Sequence, residues 1–347
     1  MTSTAARALP VLPPLSGEAL LGGTSGAVWT RGQALAVLPR GVVDARVRTG
    51  AWQVPWPGVH ANSGHVLDGV QQAWAAVFAC GGADQPLPCG PPDPETGERR
   101  RRLVAVAAGR TAARLLELPL IDDDDPATGA RDGLNADVAV WRHQPPLRQG
   151  DAVLHRRQLV FGAGDIGLLA CGLWSTTVLR TLVDCRLLLS LEALVCAMDH
   201  ALHRALVTPA RLEDACVRIE GWAGAPRFRQ AVALADGRSE SPGETLTRLV
   251  LRPVLPGLVP QVRVRDAAGT VVARLDLGDD RLRFAVEFDG RVGHEGSPMV
   301  AKDRRRDGRT DDLGWATERA TWFDVRRRQD ELRTRVLAAA DRHHAQR

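Results

Sequence analysis

A chain of 347 residues is too long for one ordinary domain, and two or three are expected. Its 44% hydrophobic content is normal for a globular protein, its formal charge is only +4 at pH 7, and no apolar run reaches the ~18 residues of a membrane span. Almost every cation is arginine (Lys302 is the one lysine) and tyrosine is absent, so where charge sits says more than its total.

Six cysteines, Cys80, Cys89, Cys171, Cys185, Cys196 and Cys216, form no CxxC pair and argue against a zinc site. The opening MTSTAARALPVLPPL lacks a charged stretch followed by an apolar one, so a cytoplasmic, thiol-reduced protein with no membrane partner is expected.

Residues 1–23 read as an extended lead-in. In 24–62, Thr30 is a plausible N-cap for a short helix through Leu38, Pro39 interrupts, and Val42–Thr49 gives a second helix closed by Gly50. Trp52, Val54 and Trp56 then alternate before a Pro57-Gly58 turn. Helix, turn, helix and ribbon is a winged helix-turn-helix layout. The stretches WTRGQAL and VRTGAWQVPWPGVHA resemble the N-terminal winged helices of abortive-infection type IV antitoxins. That resemblance implies DNA contact, with Arg40, Arg46 and Arg48 on phosphates, and a toxin or defence-system partner. The plainer alternative is a helical hairpin that packs on its neighbours and reads no DNA.

Residues 63–235 read as a mixed α/β middle domain. Helical spacing runs over Asn62–Cys80, and GGADQPLPCGPPDPETGERR reads as an exposed loop. A strand AVAA precedes a helix TAARLLEL, and IDDDDPATGARDGLNAD is an acidic surface loop without the alternation of a calcium loop. Strands are expected at Asp137–Val140 and Gln158–Phe161. STTVLRTLVDC resembles a structural segment of the same antitoxin-like proteins, with Arg180 and Asp184 an i,i+4 pair worth a few tenths of a kcal/mol. A helix over Leu187–Leu206 carries His200 and His203 with no third ligand, and two more helices follow. The domain boundary is expected near Asp236.

Residues 236–347 carry the chemistry. Pro242 opens a helix with Glu244 in its first turn. Two strands follow, the first bearing Asp276, the second ending in Glu287-Phe288-Asp289. Alternation puts Glu287 and Asp289 on one face about 7 Å apart, and Phe284, Val286 and Phe288 on the other. Carboxylates gathered this way repel unless solvated, protonated or bridged by a cation. The alternative is a solvated strand end balanced by arginines.

AVEFDG, then His294, KDRRRDGR, LGW and TWFDV, resembles the small domains related to very-short-patch-repair endonucleases, of the PD-(D/E)xK restriction-endonuclease-like superfamily. The resemblance covers about a third of the chain. It implies an α/β chain (α+β overall) ending in a restriction-endonuclease-like domain, and a metal-dependent DNA endonuclease hydrolysing phosphodiester bonds. Glu244, Asp276, Glu287, Asp289 and His294 match its catalytic positions. Asp276 and Glu287, extended by Asp289 or Glu244, would hold Mg²⁺ (or Mn²⁺), and Lys302, Arg304, Arg306 and Arg309 would hold the DNA backbone. One departure stands out. Lys usually follows two residues after the second acid, whereas this chain has Asp289, which leaves that role to His294, Arg304 or nothing. The alternative function is a non-catalytic DNA-binding regulator, antitoxin-like, that retains the nuclease fold.

Overall fold

The computed structural model describes residues 27–82, 87–92, 99–102, 105–121, 137–141, 153–157, 164–290 and 310–346. Helices and mixed sheets make it an α/β protein. It divides into two compact units between Leu188 and Leu189, with Leu118–Asp124 belonging to the second. The boundary expected near Asp236 therefore falls inside the second unit.

The first unit opens with β1 (Val28–Thr30), α1 (Arg31–Val37), α2 (Arg40–Arg48), β2 (Trp52–Trp56) and β3 (Val59–Asn62). The Thr30 hydroxyl accepts from the Gln33 N–H at 3.1 Å while Gln33 Oε1 accepts the Thr30 N–H at 2.7 Å. This reciprocal capping box starts α1 where the sequence places it. Pro39 separates the helices, and Gly50, at φ 73°, supplies the left-handed residue that ends α2. The strands form an antiparallel sheet in the order β1-β3-β2. Trp29 and Trp52 meet edge to face at 5.1 Å over Ala34, Leu38 and Val43. Helix α3 (Gly69–Ala79), capped by Asp68, buries Trp74 fully.

GGADQPLPCGPPDPETGERR is not simply a loop. Within it, β4 (Leu87–Pro92) pairs antiparallel with β5 (Arg99–Arg102) as a separate two-stranded ribbon. Prolines discourage helix and favour extended backbone, and they are tolerated where a strand lies at an edge.

The larger sheet of this unit has the order β8-β7-β6-β10-β9. Its strands are β6 (Ala105–Ala107), β7 (Asp137–Trp141), β8 (Val153–Arg157), β9 (Ile166–Leu168) and β10 (Trp174–Thr176). The strand expected at Gln158–Phe161 lies outside the described residues. Helices α4 (Gly109–Leu115) and α5 (Val178–Cys185) follow β6 and β10. Arg180 and Asp184, expected as a weak helix-surface pair, are instead buried. The Arg180 Nε–H faces both Asp184 oxygens at 3.2 Å, and Nη1 donates to Asp165 Oδ2 at 2.8 Å. Three buried charges make this a structural knot rather than a surface pair.

In the second unit, α6 (Leu191–His203), α7 (Pro209–Arg218) and α8 (Ala225–Leu234) precede α9 (Pro242–Leu251). The sheet follows as β11 (Val259–Arg265), β12 (Val271–Asp279), β13 (Phe284–Asp289) and β14 (Ala316–Thr321), then α10 (Trp322–Arg327) and α11 (Gln329–Ala345). The sheet order is β11-β12-β13-β14. The first three strands are antiparallel, and β14 runs parallel to β13. A buried carboxylate joins α6 to α9. Asp199, 1% exposed, accepts from Arg248 Nη2 at 2.7 Å and from the Thr245 hydroxyl at 2.8 Å. Glu318, a charged residue in β14, is accommodated by an ion pair with Arg335 of α11 at 2.9 Å.

Among the described residues, no helix is long and apolar enough to cross a membrane.

Candidate functional site

Two strand ladders break at one residue of β12. The β12–β13 register runs from Asp279↔Phe284 to Leu277↔Val286 and ends there. One step on, the Asp276 side chain takes over a backbone partner: its Oδ2 accepts the Phe288 N–H at 2.9 Å. On the other edge, β11 pairs Pro260 with Leu277 and Val262 with Leu275, skipping Gln261 and Asp276. Gln261 adopts a φ of 60°, a left-handed conformation that costs a non-glycine residue about 1 kcal/mol or more. The sheet is thus interrupted around Asp276.

Glu244 reaches this point from the first turn of α9. Its N–H donates to the Ser241 hydroxyl oxygen at 3.2 Å, and the Ser241 O–H faces Glu244 Oε1 at 2.9 Å. Oε2 accepts the Glu240 N–H at 2.9 Å and the Gln261 side-chain amide at 3.0 Å. Ser241-x-x-Glu244 is therefore also a helix start, with the acid on the positive end of the helix. Glu244 is 8% exposed, and burial pushes its carboxyl above the usual range; the nearby Asp276 charge adds to this, against the hydrogen bonds. Arg274 grips Glu240 with two bonds of 2.6 and 2.8 Å, holding the residue just before the helix.

Glu287 is buried at 7% exposed, and the parallel register sets it beside Arg319 of β14, with Asp289 beside Thr321. Phe288 packs edge to face on Trp322 at 5.2 Å and lies against Gly243 of α9. Strand alternation therefore places Glu287 and Asp289 on the sheet face opposite α9. The structure thus brings Glu244 to Asp276, and Asp276 to the backbone between Glu287 and Asp289. Among the described residues, no group of three or more His, Cys, Asp or Glu side chains stands together as a metal cage. His294, Lys302, Arg304, Arg306 and Arg309 lie outside the described residues.

Gln261 is the residue that sequence reasoning missed. Nothing in PQVRV signals a left-handed glutamine. Its Oε1 is buried with no hydrogen-bond partner among the described residues, while its amide holds Glu244.

In the first unit, Arg40 and Arg48 are exposed on α2 with Asp44 between them on the same stripe. Asp44 pairs with Arg31, whose hydrogen bond holds its carboxyl below the usual range. Arg46, expected on the DNA-facing side, is 6% exposed. It stands three residues after the fully buried Val43, so helical spacing turns it onto the inward stripe.

No protein-family model matches the chain. Two uncharacterized proteins of Mycobacterium tuberculosis, MT2308 of strain CDC 1551 and Rv2248 of strain H37Rv, are each 29% identical to it over 147 residues. The match covers 42% of this chain, and the chain spans about half the length of these curated relatives, 54% of each.

Proposed function

We propose that the chain is a DNA-binding, magnesium-dependent endonuclease of the restriction-endonuclease-like kind. The observation that carries this is the Asp276–Phe288 contact at the interrupted ladder, which fixes one carboxylate against the strand that ends in Glu287 and Asp289. Asp276 and Glu287 are hard oxygen donors on adjacent strands. Mg²⁺ fits such a pair, since one or two carboxylates suffice when waters and phosphate oxygens fill its other positions. Bound there, the cation would lower the pKa of a water and offset charge on the scissile phosphate. Glu244 or Asp289 would orient that water, and His294 or Arg304 would take the charge-stabilising role that Asp289 cannot. Lys302, Arg304, Arg306 and Arg309 would hold the cleaved strand, and Arg40 and Arg48 would contact DNA phosphates through the first unit. Mn²⁺ would substitute, and the setting would be cytoplasmic.

The test is incubation of purified full-length protein with supercoiled plasmid and Mg²⁺ or Mn²⁺. Nicking or linearisation by the wild type, slowed at least ~100-fold in Asp276→Ala and Glu287→Ala, is the expected result, in line with losing a stabiliser of transition-state charge. Equal rates in all three proteins would remove these acids from the chemistry.

One observation favours a second reading. Glu244 already takes hydrogen bonds from Glu240, Ser241 and Gln261, and Asp289 stands where lysine is usual. Both suit a non-catalytic, antitoxin-like DNA-binding regulator that acts with a toxin or defence-system partner. That protein would bind duplex DNA with steep salt dependence and cleave none.

A further inference from the structure

The β4–β5 ribbon concentrates charge in one strand. Its second strand is Arg99-Arg100-Arg101-Arg102, and the ladder pairs these with Pro92, Cys89, Pro88 and Leu87, none of them charged. Adjacent like charges repel, and an opposite charge across the ladder would be the ordinary remedy. The acids close in sequence, Asp84, Asp93, Glu95 and Glu98, belong to neither strand of the ribbon.

The edges of the ribbon do not invite a further strand. Pro88, Pro91 and Pro92 have no N–H to donate, and a run of arginines blunts the other edge as charged residues do. The ribbon is joined to no other sheet among the described residues. Two strands alone are marginally stable, so binding to a partner would contribute to the order of this element. The partner that complements four successive cations is a polyanion. A two-stranded ribbon is also the element that enters the major groove of B-form DNA, whereas the deep, narrow major groove of A-form RNA excludes it.

We propose that the β4–β5 ribbon is a DNA-contacting arm, separate from the acidic site, which seats Arg99–Arg102 on duplex DNA. It rests on DNA being the partner, and not on any cleavage.

The experiment is a titration of the full chain with a labelled DNA duplex at several salt concentrations. Replacing Arg99, Arg100, Arg101 and Arg102 together by Gln should lower the slope of log K against log salt by about 3–4, and weaken binding at low salt at least about tenfold. The four Arg→Lys changes made together should keep the slope within about one unit, which separates charge from fold. An unchanged slope and affinity in the Gln protein overturns the arm. So does a Lys protein whose slope falls as far as that of the Gln protein. Tighter binding of an RNA duplex through the same arginines overturns the assignment to DNA. A protein that never cuts plasmid but loses slope in the Gln variant refutes catalysis and keeps the arm.

Discussion

Asp276 Oδ2 accepts the backbone N–H of Phe288 at 2.9 Å, at the step where the β12–β13 ladder stops. A side chain thus replaces a strand carbonyl, and the two strands can part without orphaning that donor. The neighbouring contact that holds the arrangement is Phe288 against Gly243, where α9 comes so close that a Cβ on Gly243 would overlap the ring.

Gly243→Ala should therefore push α9 off β13 and destabilise the protein by about 1–3 kcal/mol through overpacking. Urea unfolding of the wild type and variant measures it. Because Glu244 is the next residue, any DNA cleavage should fall with it.

Arg180 faces Asp184 and Asp165 in a buried knot. Arg180→Ala leaves both carboxylates without this cation and should cost about 3–5 kcal/mol, read from the urea midpoint. A loss of only a few tenths, the value suited to an exposed i,i+4 pair, would show that the knot is solvated.

Burial lifts the Asp199 carboxyl to about 6, against the lowering effect of Arg248. A raised folded-state pKa means that the folded form holds the proton more tightly than the unfolded form. Its stabilising contribution is complete below the ordinary value of 3.8 and is lost as pH rises through about 6. Stability of the wild type relative to Asp199→Asn should therefore decline across that window. Unfolding curves at the two ends of it check the sign, and a relative gain with rising pH would contradict it.

Arg46 and its helix neighbours should separate folding from binding. Arg46→Ala removes a buried side chain and should destabilise by about 1–3 kcal/mol. Arg40→Ala and Arg48→Ala, both exposed, should leave stability within about half a kcal/mol. Each of the latter two should instead reduce the salt slope of DNA binding by about one, as expected for one phosphate contact.

Local rules wrote much of this fold legibly. Thr30, Pro39 and Gly50 mark the helix limits of the first module, Pro242 opens α9, and alternation at Trp52, Val54 and Trp56 marks a strand. What stayed hidden depends on contacts distant in sequence. Helical spacing alone could have turned Arg46 inward from Val43, yet the burial of Arg180 depends on Asp165, which belongs to another segment. The proline-rich stretch around Cys89 has no strand-like periodicity, and its pairing with Arg99–Arg102 comes from the ladder. At the site, alternation showed that Glu287 and Asp289 share a face, but not what packs on the other one. Phe288 fixes those faces by packing on Gly243 and Trp322, and Gln261 enters only because its backbone turns left-handed there.

Manganese binding to the purified chain, followed by its paramagnetic signal with and without duplex DNA, tests the proposed cation site most directly. A site between Asp276 and Glu287 predicts bound Mn²⁺ that Mg²⁺ displaces, that DNA phosphates tighten, and that Glu287→Gln weakens at least ~10-fold. Equal Mn²⁺ binding in wild type and Glu287→Gln, or none in either with DNA present, would contradict it.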